Sequence, residues 1–375
     1  MKNIHLEHLE DSLFDTGSFT APIDRLAKVL SWINGESVGA SISRKWDGAP
    51  AFVFGAHPVT KKFFLGTKGV FSGKLAFNES DIPEITESPE LREKLTHLFR
   101  ALRPHVDANS KVFQGDLLWW PGMKELDFVK NVWYIQPNTL RYEIDGSGDL
   151  RELMQSKVGV AIHTQYTGGS IENLQAEILH ESFNYTSEGL SIIYPGMHQI
   201  NFPMPGPKTA MDIQNLRTQY SGYSSETLKE LTSGRLHTLV KQFVNHAYRK
   251  QITIDGSNFT AYIFDEYDKE AKRLKTFKGM MRKKTDGIKL VASLSVVQLD
   301  EIFKGYKRIV LLKDRMIQFL NATYHQGVQV YLPDGTPCGP EGYVYQQDRD
   351  YFKMVIRSVF SRANMLNDAK RWVGK

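Results

Sequence analysis

Hydrophobic positions along this chain change period twice. Residues 21–34 carry Ile23, Leu26, Leu30 and Ile33 at helical spacing, which predicts an amphipathic helix. From about 38 to 204 the apolar residues fall in short runs: Val38–Ile42, Ala51–Phe54, Lys62–Leu65, Lys111–Trp119, Val132–Gln136, Val158–Ile162 and Leu190–Tyr194. Glycine, proline and asparagine separate these runs, as expected of strands joined by turns. One helix, Pro89–Leu102, interrupts them. The Pro203–Pro207 stretch is a strong break, and helical periodicity then dominates to about 325. There Leu236, Leu239, Val240, Phe243, Val244 and Ala247 form one stripe, and Leu299, Ile302, Phe303, Tyr306 and Val310 form another, continuing to Met316 and Leu320. Strand character returns at Val328–Leu332, Gly342–Tyr345 and Tyr351–Ile356. The pattern predicts an α+β chain of mainly antiparallel strands. It divides into 1–204, a helical insertion over 205–327, and closing strands over 328–375.

Composition adds little to this picture. The 375 residues carry a net charge of +5, which tolerates a polyanion without demanding one. Cys338 is the single cysteine, so no disulfide forms within the chain, and its turn-rich setting supplies no activating partner. No apolar run is long enough for a membrane span and no signal peptide opens the chain, which points to a cytoplasmic protein, in the host cytoplasm if the source is viral.

The chemistry concentrates where two strand-like runs meet, at Ser43-Arg44-Lys45-Trp46-Asp47-Gly48-Ala49-Pro50. A lysine there stands at a strand–turn–strand junction beside a carboxylate and a glycine. Its amine, with an ordinary pKa near ~10.4, becomes nucleophilic only when burial or neighbouring cations such as Arg44 lower that value. Asp47 opposes the effect unless a metal or a ribose occupies it. A second Lys-x-Asp-Gly, Lys284–Gly287, follows a charged, helix-like stretch, and the strands flanking the first copy favour Lys45.

Lys45-x-Asp47-Gly48 resembles the first motif of the covalent nucleotidyltransferases, the superfamily of ATP-dependent DNA ligases, RNA ligases and capping enzymes. Val112-Phe113-Gln114-Gly115-Asp116 resembles the third motif, with aspartate where RNA ligases carry glutamate. Glu341-Gly342-Tyr343 resembles the fourth, with Glu188-Gly189 as a rival nearer in sequence. Tyr351-Phe352-Lys353-Met354-Val355 resembles the fifth, with Val355 where most members place a second lysine. The whole chain also resembles proteins of tailed bacteriophages that carry this core.

The resemblance implies an antiparallel-sheet nucleotidyltransferase core, of the ATP-grasp-like ligase adenylation kind, with a largely helical insertion. It implies that Lys45 forms a lysyl–AMP intermediate from ATP with Mg2+. Arg44, Asp47, Gly48, Lys68, Asp116, Ile162, Glu341 and Lys353 would bind the nucleotide, Ile162 by stacking on the purine. Asp116 and Glu341 would hold the metal. The AMP would pass to the 5′-phosphate of a nicked or broken nucleic acid in DNA or RNA repair. The short stretch after Lys353 leaves no room for the β-barrel of DNA ligases and capping enzymes, so the helical insertion would contact the polynucleotide. The alternatives are a nucleotide- or nucleic-acid-binding protein without turnover, and AMP transfer to another acceptor.

Three other clusters read more plainly. The basic stretch Lys269–Lys289 reads first as a solvated helix face, with phosphate binding as the alternative. Trp119-Trp120 and Trp133-Tyr134 read as core before base-stacking platforms. His5, Glu7, His8, Glu10 and Asp11 lack a closed metal-ligand spacing and read as a polar N-terminal segment.

Overall fold

Strands buried on both faces, such as Ala51–Ala56, and half-buried ones, such as Arg141–Asp145, build the sheets of this protein, whose computed structural model describes residues 7–37, 39–179, 185–194, 196–197, 207–323, 327–347, 350–361 and 363. The chain divides into two units. The first comprises Met1–Leu6, Ala40–His198 and Asn321–Tyr351; the second comprises Glu7–Gly39, Gln199–Leu320 and Phe352–Lys375.

The strands are β1 (Ala40–Lys45), β2 (Ala51–Ala56), β3 (Phe63–Gly66), β4 (Val112–Trp119), β5 (Glu125–Asp127), β6 (Val132–Ile135), β7 (Arg141–Asp145) and β8 (Val158–Thr167). They continue as β9 (Gln175–Ile178), β10 (Tyr185–Thr186), β11 (Leu190–Ile193), β12 (Gly196–Met197), β13 (Val328–Tyr331), β14 (Pro337–Cys338), β15 (Gly342–Gln347) and β16 (Asp350–Met354). They form three sheets, ordered β12-β1-β15-β16, β10-β11-β8-β4-β2-β3 with β9 beside β8, and β14-β13-β7-β6-β5. Among the registers described, pairing is antiparallel except between β11 and β8, so the class is mixed α+β.

The helix Pro89–Leu102 falls where its sequence pattern puts it. Ser88 caps it by accepting the Leu91 N–H at 3.3 Å, and Pro89 occupies the first turn, where no donor is required. Its Leu95, Leu98, Phe99 and Leu102 pack on Phe52, Phe54, Leu65, Leu117, Val160 and Ile162 of the largest sheet. Burial of such side chains stabilises by about 1.5–3 kcal/mol each. A second cluster, built on Val53, Phe64, Val112 and Tyr166, uses alternate positions of the same strands.

The second unit is helical. The stripe of Gly234–Lys250 is buried throughout, and Phe243 meets Phe303 of Val296–Thr323 with ring centroids 5.9 Å apart. The N-terminal helix Thr20–Ile33 contacts Pro207–Gln219, so residues 7–39 group with the helices. The unit boundaries therefore differ from the division at 204 and 327: the N-terminal helices and the chain from Phe352 join the helical unit. Residues 203–206 of the expected break lie outside the described residues.

The polar N-terminal reading also needs correction. Glu10 and Asp11 are buried, not solvated. Lys313 Nζ lies 2.7 Å from Glu10, and Arg357 Nη1 donates to Asp11 at 2.8 Å. Tyr306 Oη donates to Asp11 at 3.1 Å. Desolvation of such charges is offset only by close pairing, and removing one partner of a buried pair costs about 3–5 kcal/mol.

Candidate functional site

Every residue of the candidate site belongs to the first unit. On β1, Ile42 and Arg44 are buried while Ser41, Ser43 and Lys45 alternate with them. The β1–β15 register sets Arg44 opposite Tyr343 and Lys45 opposite Gly342. Glu341, the residue before Gly342, is thereby brought beside Lys45, and the Lys45 ammonium donates to its Oε2.

The turn after Lys45 is fastened at both ends. Asp47 accepts from Asn138 Nδ2 at 2.9 Å and from the Thr139 and Leu140 N–H groups at 2.8 Å each. Its own N–H donates to Tyr142 Oη at 2.7 Å, and Trp46 packs on the Tyr142 ring. Both Asp47 oxygens are thus engaged by protein donors, which gives this carboxylate a turn-holding role in place of the expected ribose or metal contact. Gly48 has a steric reason. A Cβ there would stand 2.6 Å from Asp116 Cβ and 2.9 Å from the Leu117 carbonyl oxygen. The absence of a side chain lets the turn lie directly on β4 at Asp116.

Asp116 pairs with Ala51 on β2 and Ala161 on β8. His163, two residues beyond Ala161, presents Nε2 at 3.6 Å from Asp116 Oδ2, and its Nδ1 lies 2.8 Å from Thr164 Oγ1. Sequence reasoning did not assign His163. The signal was present in the run Val158-Gly159-Val160-Ala161-Ile162-His163, where a polar residue follows an apolar series in alternating register.

Electrostatics couple these groups. Burial draws the Lys45 pKa down, but Glu341, Asp116 and Asp47 outweigh it and hold the ammonium above the ordinary lysine range. Burial, with Asp47 and Asp116 adding to it, pushes the Glu341 carboxyl up despite Lys45. Burial draws the Arg44 guanidinium down, opposed by Tyr343 and Tyr142. The Lys45 side chain remains 33% exposed.

The other expected residues are distributed as follows. Lys68 is exposed and opens the 3-10 turn after β3. Since Gly66 pairs with Val53 and Asp116 with Ala51, Lys68 lies at the same end of the sheet as Asp116. Ile162 is a correction. It is buried with Val158 and Val160 against the helix Pro89–Leu102, so it fills the core and offers no platform to a purine. Glu188, the rival acid, is exposed and lies 3.9 Å from Lys157. Lys353 belongs to the second unit, where its N–H donates to the Glu7 carbonyl at 2.9 Å. Val355 is buried. The second Lys-x-Asp-Gly lies within the helix Phe277–Ser293. Trp119 is core, as its strand position implied. Burial pushes the Cys338 thiol up to about 12, against any nucleophilic role.

Among the described residues no group of three or more His, Cys, Asp or Glu side chains is disposed to hold a metal ion. Magnesium does not require such a cage; it keeps several waters and takes one or two carboxylates together with substrate phosphates. Asp116 and Glu341 fit that donor set. No helix among the described residues is long and apolar enough to cross a membrane.

No curated protein matches the chain, and no solved structure matches it. The model of a family of unknown function, DUF6267, matches residues 3–370, and the chain belongs to that family.

Proposed function

We propose that the first unit is a covalent nucleotidyltransferase in which Lys45 takes AMP from ATP and passes it to the 5′-phosphate of a nucleic acid. The observation that carries this reading is the gathering of Lys45, Glu341 and Asp116, residues 296 positions apart at the extreme, around a turn whose glycine touches Asp116.

In the resting site Lys45 is an ammonium, paired with Glu341 and unreactive. The ammonium must release one proton to solvent before the amine attacks, and the nitrogen sheds a second once bonded to phosphorus. The amine lone pair bonds to the α-phosphorus, the bond from that phosphorus to the bridging oxygen breaks, and pyrophosphate departs with the electron pair. Bound through Asp116 and Glu341, magnesium would neutralise phosphate charge and so weaken the hold of these acids on the Lys45 proton. Asp47 and Gly48 keep the turn against β4, which fixes the height of the amine above Asp116. Lys68 and Arg44 supply positive charge from the β3 end and from β1. Transfer to a polynucleotide phosphate would then release the lysine for another cycle.

Two observations favour a second reading, a nucleotide- or nucleic-acid-binding protein without turnover: the amine is held protonated, and Val355 is buried where a second phosphate-binding lysine is expected. The two readings part in one experiment. Pure protein is incubated with α-labelled ATP and magnesium and then denatured. Retained label on the wild type, lost in Lys45→Ala and reduced at least tenfold in Glu341→Gln, supports transfer. Label that washes away with the denaturant supports binding alone. Where label is retained, nicked DNA, nicked RNA and non-nucleic acceptors added in turn identify which of them discharges it.

A further inference from the structure

The helix Phe277–Ser293 carries two parallel stripes that its packing leaves open. Phe277, Met281 and Ile288 are 73%, 48% and 56% exposed, and their spacing of i, i+4 and i+11 sets them in one line along the helix. Lys278, Arg282 and Lys289 each follow one of them, so the same spacing repeats as a cationic line turned about 100° around the axis. All three cations are exposed. The third side of the helix is the one that packs. Gly287 lies against Tyr267, where a Cβ would meet Tyr267 Cβ at 2.8 Å. On that side Lys283 pairs with Glu270 at 2.7 Å, while Lys284, between Met281 and Ile288 on the apolar line, is paired with Asp268 at 2.7 Å. The charges facing the neighbouring helix Gly256–Lys272 are therefore neutralised, and on the far flank Lys278, Arg282 and Lys289 outnumber the one exposed acid, Asp286.

We propose that this face binds single-stranded nucleic acid, with phosphates along Lys278, Arg282 and Lys289 and bases against Phe277, Met281 and Ile288. The asymmetry selects the occupant. A single strand presents its phosphates on one side and its unstacked bases on the other, matching one cationic and one apolar line. A duplex hides its bases and engages only the cations. A helix lying in an anionic lipid surface is rich in Lys and Arg across its polar face, and here part of that face is tied to Glu270 and Asp268 of the neighbouring helix. The proposal extends the nucleotide-transfer reading, whose acceptor is a polynucleotide, but its test contains no nucleoside triphosphate, so the two stand or fall separately.

The test is fluorescence anisotropy of labelled oligothymidylate and oligouridylate with the full chain over a series of salt concentrations, with a mixed-sequence duplex alongside. Wild-type protein binds the single strands more tightly than the duplex. The triple variant Lys278→Glu/Arg282→Glu/Lys289→Glu binds them at least about tenfold more weakly. Its slope of log affinity against log salt falls by about 2, since each phosphate no longer neutralised removes about 0.7. The triple variant Phe277→Ser/Met281→Ser/Ile288→Ser keeps the slope but loses the preference for single strands. Circular dichroism matching the wild type shows that each variant is folded. Equal affinity in wild type and charge variant, or an unchanged strand preference in the apolar variant, overturns the proposal. Binding to phosphatidylserine vesicles without binding to the oligonucleotides overturns it in favour of a lipid surface.

Discussion

At the scale of single residues, the central fact is that Lys45 is held as an ammonium by acids. Replacing Glu341 by Gln removes the largest of the opposing charges. The Lys45 midpoint should then fall, because burial is left less opposed. The readout is the pH dependence of Lys45 modification by an amine-directed reagent, followed on the isolated peptide by mass spectrometry. A midpoint that stays in place or rises in Glu341→Gln would contradict the electrostatic account. The positions of Lys45 at the end of a strand and of Gly48 in the turn after it were legible because local pattern sets both. Asp47 was misassigned because its partners, Asn138, Thr139 and Leu140, lie some ninety positions away and their backbone donors leave no trace in composition. Ile162 failed on parity: a shift of one residue along a strand exchanges a core face for an open one, and the apolar run Val158–Ile162 does not say which face is which.

At the scale of elements, strong periodicity was read well. Pro89–Leu102 has the bounds its cap and proline announce, and the 236–247 stripe lies within Gly234–Lys250. β7 was missed because its alternation rests on only two buried residues, Tyr142 and Ile144, between Arg141, Glu143 and Asp145. Yet β7 follows the loop that clasps Asp47, so a weakly patterned strand positions the most strongly patterned turn. The approach of that turn to β4 yields a prediction of its own. Gly48→Ala forces the turn off Asp116, since the clash is with Cβ and backbone atoms that cannot rotate away. A loss of about 1–3 kcal/mol in urea unfolding is expected, with AMP labelling reduced at least tenfold. A variant as stable and as readily labelled as the wild type would show that the close approach is immaterial.

At the scale of the whole molecule, the two units use charge in opposite ways. The first leaves Lys45, Glu341 and Asp116 partly open to solvent. The second seals Glu10, Asp11, Lys313 and Arg357 in its core, joining chain segments some three hundred positions apart. That pairing was invisible in sequence because each group, taken locally, reads as an ordinary surface charge. Asp314 borders this network, and burial pushes its carboxyl up to about 6. Its folded pKa exceeds its ordinary 3.8, so its contribution to stability is complete below 3.8 and is lost as pH rises through 6. Above that range the buried carboxylate costs about 3 kcal/mol. Asp314→Asn should therefore stabilise the protein by about that amount near pH 8 and by little near pH 4, as read by urea unfolding at the two values. Equal effects at both would exclude a buried ionisation cost.

The proposed transfer is tested most directly by finding where AMP resides. Protein incubated with ATP and magnesium is denatured and digested, and the peptides bearing the two Lys-x-Asp-Gly sequences are compared by mass spectrometry. The account predicts one AMP bonded to Lys45 through nitrogen, with an equal amount of pyrophosphate released and Lys284 unmodified. AMP on Lys284, or pyrophosphate release with Lys45 unmodified throughout, would contradict it.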